Sequence, residues 1–217
     1  MRDTAPAMPC AEELQRVRSD TYIWQVYDPK VKTDLFSSAL VTSEGIFVVD
    51  PVPLAESALA LLPQLGPIIG IIVTNSNHER ASADFAQRFS APVFAHSESL
   101  ATERFFGFTA VGDGDRICEA LDVTVIDGAA PGEIALSYPL NSGVLIVGDA
   151  LINFEPQGFS FLPKKYCSNE KEMRRSLRKL LPHKSERMFF AHGSPILSGA
   201  TARLQRLLDA DSRGDCP

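Results

Sequence analysis

The chain has 217 residues and a formal net charge of −6; 45% of its residues are hydrophobic and 22% are charged. This composition is typical of one globular domain, which at this length buries about 70% of the surface that its unfolded chain exposes. The acidic balance argues against a nucleic-acid binder. The longest apolar runs, such as Ile68 to Val73, have the length of strands. A membrane helix needs about 20 apolar residues, so we expect no membrane-spanning segment.

The cysteines and the N-terminus indicate the compartment. Cys10, Cys118, Cys167 and Cys216 are scattered, without a Cys-x-x-Cys pair or zinc-finger spacing, and we interpret them as reduced thiols. Residues 1–9 contain one arginine and no hydrophobic segment, so a secretory signal is not indicated. We therefore expect a cytoplasmic protein.

The first half of the chain predicts strands interspersed with helices. Alternating or continuous apolar runs indicate the strands, and Pro63 breaks a helix that Gly66-Pro67 ends. In chain order the predicted elements are strands at 21–27, 36–42 and 45–50, a helix at 54–65, a strand at 68–74, a helix that ends near Phe89, a strand at 92–95 and a short helix from Ser97.

The second half repeats this pattern. Strands are predicted at 123–127, 133–139, 144–148 and 187–191, a loop at 151–168, and helices from Asn169 and at 199–210. Asn169 and Glu172 have the spacing of a capping box. Two stacked sheets with helices outside, an αββα sandwich of the mixed α/β (α+β) class, fit this order. We expect a flexible segment at 1–18, a single domain at 19–211 and a tail at 212–217.

Four short motifs occur in order along the chain. They are GIFVVDP at 45–51, IIVTNSNHER at 71–80, AAPG at 129–132 followed by VGD at 147–149, and FAHGSP at 190–195. In order and spacing they resemble the motifs of the metallo-β-lactamase superfamily, over about residues 20 to 210. The resemblance implies the four-layer αββα sandwich of that superfamily.

The resemblance also implies where metal ligands are expected. Residues 74–80 stand where the family carries Thr-His-x-His-x-Asp-His. The family's first metal would use positions 75, 77 and 129, and its second would use 79, 80 and 192, with Asp149 bridging. This chain places Asn75, Asn77 and Ala129 at the first set, and Glu79, Arg80 and His192 at the second.

These replacements predict that no zinc is bound. Amides are poor zinc ligands, and a guanidinium has no lone pair to donate. A hard divalent ion such as Mg²⁺ or Mn²⁺, held by oxygens of Asn75, Asn77, Glu79 and Asp149, stays open, although Arg80 opposes it. The expected cofactor is therefore none.

Arg80 suggests a specific hypothesis: its charge replaces that of a metal by pairing with Asp149 and also Glu79. The alternative is that Arg80 points to solvent. Ser76 and Glu79 can form a capping box for the next helix. His78 falls on a position without a metal-binding role in this register, and we expect it to be exposed.

The function that we expect is binding or interaction through a polar pocket, in a member that is not a zinc hydrolase. The pocket residues are Asn75, Asn77, Glu79, Arg80, Asp149 and His192. The alternative is a hydrolase of altered chemistry that uses another ion or a metal-free acid–base pair, with Asp149, His192 and Glu79 as catalytic candidates. A third alternative is a structural subunit, although Phe105, Phe106 and Phe108 fit a core better than an interface. The expected partner is a small molecule or a protein, including a second copy of the chain.

The charge is uneven along the chain. The segment from Lys164 to Arg187 has nine Lys and Arg against three Glu, which makes it +6. Met173, Leu177, Leu180 and Leu181 have helical spacing, so the basic residues fit the solvated face of an amphipathic helix. A patch for an anionic ligand is the alternative.

Overall fold

A computed structural model describes residues 8–100, 107–155 and 158–214. It confirms the αββα arrangement: two sheets face each other, and helices cover both outer faces. Phe105, Phe106 and Cys216 lie outside the described residues, whereas Phe108 packs against the core of the first sheet, as predicted.

The first sheet has seven strands in chain order. They are β1 (Gln15–Arg18), β2 (Thr21–Asp28), β3 (Thr33–Val41), β4 (Ile46–Val49), β5 (Ile68–Val73), β6 (Val93–Ala95) and β7 (Thr109–Ala110). The first four pair antiparallel and the last four pair parallel. The continuous apolar run of β5 is typical of a strand that is covered on both faces. Helices α1 (Glu56–Leu59), α2 (Leu62–Leu65) and α3 (Ser82–Phe89) connect these strands.

The second sheet has five strands and carries a separate hairpin. The strands are β8 (Arg116–Ile117), β9 (Leu121–Val125), β10 (Ile134–Tyr138), β11 (Val144–Val147) and β14 (Arg187–Phe190). The hairpin consists of β12 (Leu151–Phe154) and β13 (Gly158–Phe161). Helices α4 (Glu170–Leu177) and α5 (Ala200–Gly214) follow, and 3₁₀ turns lie at Lys164–Tyr166 and Arg178–His183. Central β11 pairs antiparallel with β10 and parallel with β14.

Three buried clusters separate the four layers. Phe47, Leu136 and Phe189 belong to the cluster between the sheets. Trp24 and Phe85 belong to the cluster under α3, while Met173 and Leu204 belong to the one under α4 and α5. Each large apolar side chain that is fully buried stabilises the fold by about 1.5–3 kcal/mol.

Several predicted boundaries differ from the structure. The sequence predicts a loop at 151–168, but β12 and β13 pair there. The helix predicted at 54–65 is two short helices, and β1 begins at Gln15, before the expected domain start at residue 19. The Asn169 cap is confirmed, because its Oδ1 accepts a hydrogen bond from Glu172 N at 3.2 Å.

The segment after β5 differs in a way that matters for the site. Helix α3 begins at Ser82 with Ala81 as its N-cap and no side-chain cap, so the predicted capping box of Ser76 and Glu79 is wrong. Residues 75–80 instead form turns, in which Asn75 Oδ1 accepts a hydrogen bond from Asn77 N at 2.8 Å. Arg80 has a φ of 43°, in the left-handed region.

The strand ends place four segments at one edge of the sandwich. Asp50 follows β4, Thr74 follows β5, Asp149 follows β11 and His192 follows β14, and all four strands run in a direction that brings these ends together. Within the described parts of the chain, no helix is both long and apolar enough to cross a membrane.

Candidate functional site

His78 lies at the centre of the site, although the sequence predicts it to be exposed. It is 2% exposed; its Nδ1 lies 3.0 Å from Asp50 Oδ2, and its Nε2 lies 3.1 Å from Asp149 Oδ1. The prediction is wrong because the turn formed by Asn75 and Asn77 folds position 78 back under the strand ends. Sequence register alone does not fix the direction of a side chain in a turn.

Asp149 joins the polar side chains of this cluster. Its Oδ1 lies 3.1 Å from His78 Nε2 and 3.1 Å from His192 Nε2, and its Oδ2 accepts a hydrogen bond from Asn77 Nδ2 at 3.3 Å. Burial acts to raise the pKa of Asp149, but the charge of His78 and the hydrogen bonds from both histidines hold that pKa well below its usual range. The carboxylate is therefore ionised at neutral pH.

The other ring nitrogens of the two histidines face acceptors. His78 Nδ1 lies beside the Asp50 carboxylate, and His192 Nδ1 lies 3.2 Å from the backbone carbonyl of Asp34. A carbonyl oxygen and an ionised carboxylate only accept hydrogen bonds, so both ring nitrogens of each histidine face acceptors, and a neutral imidazole can donate to only one of its two. Both Nε2 atoms then face Asp149 Oδ1, and this cluster needs either further protons or a cation between its atoms.

The acidic side chains of the cluster raise the pKa of His78. Burial and the charge of Arg80 act to lower it, but Asp149 and Asp50 outweigh them and raise the pKa of His78 from 6.5 to about 9. Thr74 supports Asp50, because its backbone N and Oγ1 donate to the two carboxylate oxygens at 2.8 and 2.5 Å. Without another cation, the imidazolium form of His78 balances the acids.

Arg80 lies beneath this cluster and is held by the backbone. Its Nη1 donates to the carbonyls of Phe36 and Asp50 at 2.6 and 3.0 Å, and its buried Nη2 has no hydrogen-bond partner among the described residues. The expected direct pair between Arg80 and Asp149 is not formed. Burial lowers the pKa of Arg80, and the charges of Asp50 and Asp149 oppose that shift, so Arg80 acts on them through space.

Two of the three positions that correspond to the first metal, Asn75 and Asn77, are hydrogen-bonded amides. Asn75 Nδ2 donates to Glu133 Oε2 at 2.6 Å, and Glu133 Oε1 accepts from Ala150 N at 3.0 Å. Burial and the charge of Asp149 raise the pKa of Glu133 to about 8. A Cβ at Gly148 would lie 2.6 Å from Thr74 Oγ1 and 2.8 Å from Glu133 Oε1, so this packing requires glycine.

The structure brings Asn77, Asp149 and His192 into contact and places Asn75 against Glu133. His78, Asp50 and Glu133 also belong to this cluster, and the sequence does not predict them there. One sequence signal points to Glu133: an acid directly after the Pro131-Gly132 turn, at the start of an apolar strand, needs buried partners. Glu79 is partly buried, and its backbone carbonyl accepts a hydrogen bond from Ser82 N.

The donor set does not fit two metal ions. The Asn75 and Asn77 side chains are engaged by Glu133 and Asp149, Ala129 has no donor atom, and Arg80 is bonded to carbonyls. One group does have the donors for a single ion. His78, Asp149 and His192 each offer a ligand atom, and these atoms lie within 4.8 Å of one another.

Comparisons with known proteins agree with this geometry. A family model described as the metallo-beta-lactamase superfamily matches residues 14–210. No curated protein matches the chain. DIM-1 metallo-beta-lactamase is a similar solved structure, with 12% identity, a TM-score of 0.71, and coverage of 94% of this chain and 99% of that one.

Two further solved structures are similar. The metallo-beta-lactamase family protein TTHA1429 from Thermus thermophilus has 18% identity and a TM-score of 0.63, over 91% of this chain and 81% of that one. TTHA1623, in a di-iron-bound form, has 22% identity and a TM-score of 0.61, over 83% of this chain and 97% of that one. At these identities the likeness establishes the fold.

Proposed function

The chain belongs to the metallo-β-lactamase superfamily, and from that premise we propose that it is a binding member that does not carry out two-metal hydrolysis. The observation that carries the proposal is the position of Arg80. Its guanidinium stands at a metal-ligand position of the family motif and is bonded to the carbonyls of Phe36 and Asp50. A guanidinium at this position repels a second metal ion, because it is positively charged, and it has no lone pair with which to bind one.

The amides support the same conclusion. Two-metal hydrolysis relies on two ions about 3.5–4 Å apart that activate water and hold the reacting oxygens. Asn75 is bonded to Glu133, and Asn77 is bonded to Asp149. The asparagine side chains at the first-metal positions therefore have hydrogen-bond partners within the chain, and they do not need an ion to satisfy them.

The exposed side of the cluster offers groups for a polar ligand. Asn77 is exposed, and the side chain of His192 is 16% exposed. The ring centroids of His192 and Phe154 lie 6.2 Å apart. Asn77 can both donate and accept hydrogen bonds, and Phe154 provides an apolar wall. A small polar molecule with an apolar part is the ligand class that these groups favour.

Hydrolysis assays test the proposal. The substrates are a chromogenic β-lactam, a p-nitrophenyl ester and bis-p-nitrophenyl phosphate, each with Zn²⁺, Mn²⁺ or Mg²⁺. We expect equal background rates for the wild type and His192→Ala. Turnover that falls at least about tenfold in His192→Ala contradicts the proposal, since general acid–base groups contribute factors of this size or more.

A retention experiment tests binding itself. Wild-type protein and Asn77→Trp are incubated with a mixture of polar metabolites and washed, and the retained compounds are identified by mass spectrometry. We expect a compound that the wild type retains and the variant does not, because the indole blocks the exposed mouth at Asn77. Equal retention by both proteins would place the binding site elsewhere.

A hydrolase of altered chemistry is the second candidate. It is favoured by the cluster of His78, Asp149 and His192, in which the carboxylate orients both imidazoles. His192 is the more exposed histidine and is therefore the candidate base. The His192→Ala comparison separates this candidate from the binding function.

A further inference from the structure

We propose that His78, Asp149 and His192 form a site for one divalent transition-metal ion, with His78 as a ligand from outside the family's ligand positions. The inference rests on the proposed loss of the two-metal centre, because it requires only one ion. It also reverses our expectation that no metal is bound. That expectation includes only one imidazole in the site, that of His192, because the sequence predicts that His78 is exposed.

The first support is the convergence of the three donor atoms. The Nε2 atoms of His78 and His192 each lie 3.1 Å from Asp149 Oδ1. Metal–nitrogen and metal–oxygen bonds of about 2.0–2.2 Å place neighbouring ligand atoms about 2.8–3.6 Å apart, depending on whether the geometry is octahedral or tetrahedral. The side chains therefore already have the spacing that coordination requires.

The second support is the outer hydrogen bond of each imidazole. A metal-binding histidine usually donates its other N–H to a carboxylate or a backbone carbonyl, which fixes the ring and its tautomer. His78 Nδ1 faces Asp50 Oδ2 at 3.0 Å, and His192 Nδ1 faces the Asp34 carbonyl at 3.2 Å. Both rings thus present Nε2 to the same point.

The third support is charge. The carboxylates of Asp50 and Asp149 both face His78, and Asp149 Oδ1 also faces His192. Arg80 Nη1 is held by the carbonyls of Phe36 and Asp50, so its bonds are made away from the point where the donors meet. A divalent ion between the donors would be matched by these two acidic side chains.

The donor types select the metal. Two imidazoles and one carboxylate suit Zn²⁺ and Fe²⁺, whereas Mg²⁺ and Ca²⁺ prefer oxygen ligands. Three protein ligands leave at least one coordination position for water or a ligand. Asn77 is exposed and hydrogen-bonded to Asp149, so the residues that would hold the ion adjoin the proposed ligand site.

Cobalt titration tests the site. The protein is freed of metal with a chelator, and Co²⁺ alone is added while its visible spectrum and the bound metal are measured. We expect one equivalent per chain, no competition from Mg²⁺, and at least tenfold weaker binding in His192→Ala and His78→Gln. His183→Ala, a histidine remote from the cluster in sequence and outside its donor set, is the matched control. Circular dichroism checks that each variant is folded.

Proton spectra of the Co²⁺ protein give a readout independent of activity. Two exchangeable, strongly shifted imidazole N–H signals are expected, one from each Nδ1, and Asp50→Asn should move only the signal of His78. No uptake, or uptake unchanged in both ligand variants, overturns the inference and leaves the proposed binding function standing. Two equivalents per chain together with hydrolysis overturn both.

Discussion

The polar cluster consists of two halves that differ in how their polar groups are satisfied. In the amide half, formed by Asn75, Asn77 and Glu133, each amide N–H₂ donates to an oxygen of an acidic side chain. In the imidazole half, formed by His78, Asp149 and His192, two ring nitrogens and a carboxylate oxygen converge on one point. The amide half is complete within the chain, whereas the imidazole half needs protons or an ion.

The difference shows how a site can keep its fold and change its chemistry. An amide donates protons, so it can replace a metal-bound imidazole and still bond a neighbouring carboxylate without any ion. Imidazoles around an ionised acid still need added protons or a cation to balance the negative charge of that acid. The two halves should therefore respond differently to substitution.

The largest effect is expected at the centre of the imidazole half. Asp149→Ala leaves His78 without one partner and breaks a buried charged pair, which typically costs about 3–5 kcal/mol. We expect the free energy of unfolding in metal-free urea titrations to fall by about this amount. A loss below about 1 kcal/mol would mean that the buried cluster adds little to stability.

A somewhat smaller effect is expected at Arg80, which ties this half to the first sheet. Arg80→Met removes two hydrogen bonds from a charged group to carbonyls, and each such bond contributes about 1.5–3 kcal/mol. The two bonds together give about 3–6 kcal/mol, but the substitution also removes a buried Nη2 that has no hydrogen-bond partner in the described part of the chain, so we expect a loss of about 3 kcal/mol in urea unfolding. Arg80→Lys, which keeps the charge and can reach one carbonyl, should lose less. Equal losses in both variants would contradict a contribution of the charge at position 80 to stability, because lysine keeps that charge.

The amide half should appear in the pH dependence of stability. The pKa of Glu133 is raised to about 8 in the folded chain, against 4.5 ordinarily, so the folded state binds the proton more tightly. The stabilisation from this proton is complete below pH 4.5 and is lost as the pH rises through 8. We expect metal-free wild type to lose more stability between pH 5 and 9 than Glu133→Gln. A steeper loss of stability in Glu133→Gln than in the wild type would contradict a raised pKa of Glu133 in the folded state.

The fold could be predicted from the sequence because its signals are local. The apolar run of β5 and the Asn169 cap each depend on residues that are neighbours along the chain. The pairing of β12 with β13 was not predicted, because these strands have only four residues each and no tight two-residue turn signal joins them.

The site could be predicted only in part, because its decisive contacts join distant residues. Glu133 bonds Asn75, which is 58 positions away, and His78 meets Asp149 from another sheet. The direction of His78 depends on the turn at Asn75 and Asn77 and on the left-handed φ of Arg80. A motif register aligns positions but does not give these directions.

The smallest effect is expected where the two halves meet at the surface. Asn77→Ala removes one hydrogen bond of 3.3 Å to Asp149 Oδ2 from an exposed side chain, and a typical net contribution is about 0.5–1.5 kcal/mol. We expect the low end of that range in urea unfolding and a change of less than about threefold in Co²⁺ affinity, because Asp149 Oδ1 keeps both imidazoles. Asn75→Ala, whose amide is buried against Glu133, is the matched variant and should lose more stability with equally little effect on Co²⁺. If either asparagine variant weakened Co²⁺ binding as much as His192→Ala does, the amide half would be part of the ion site, and the division between the halves would be wrong.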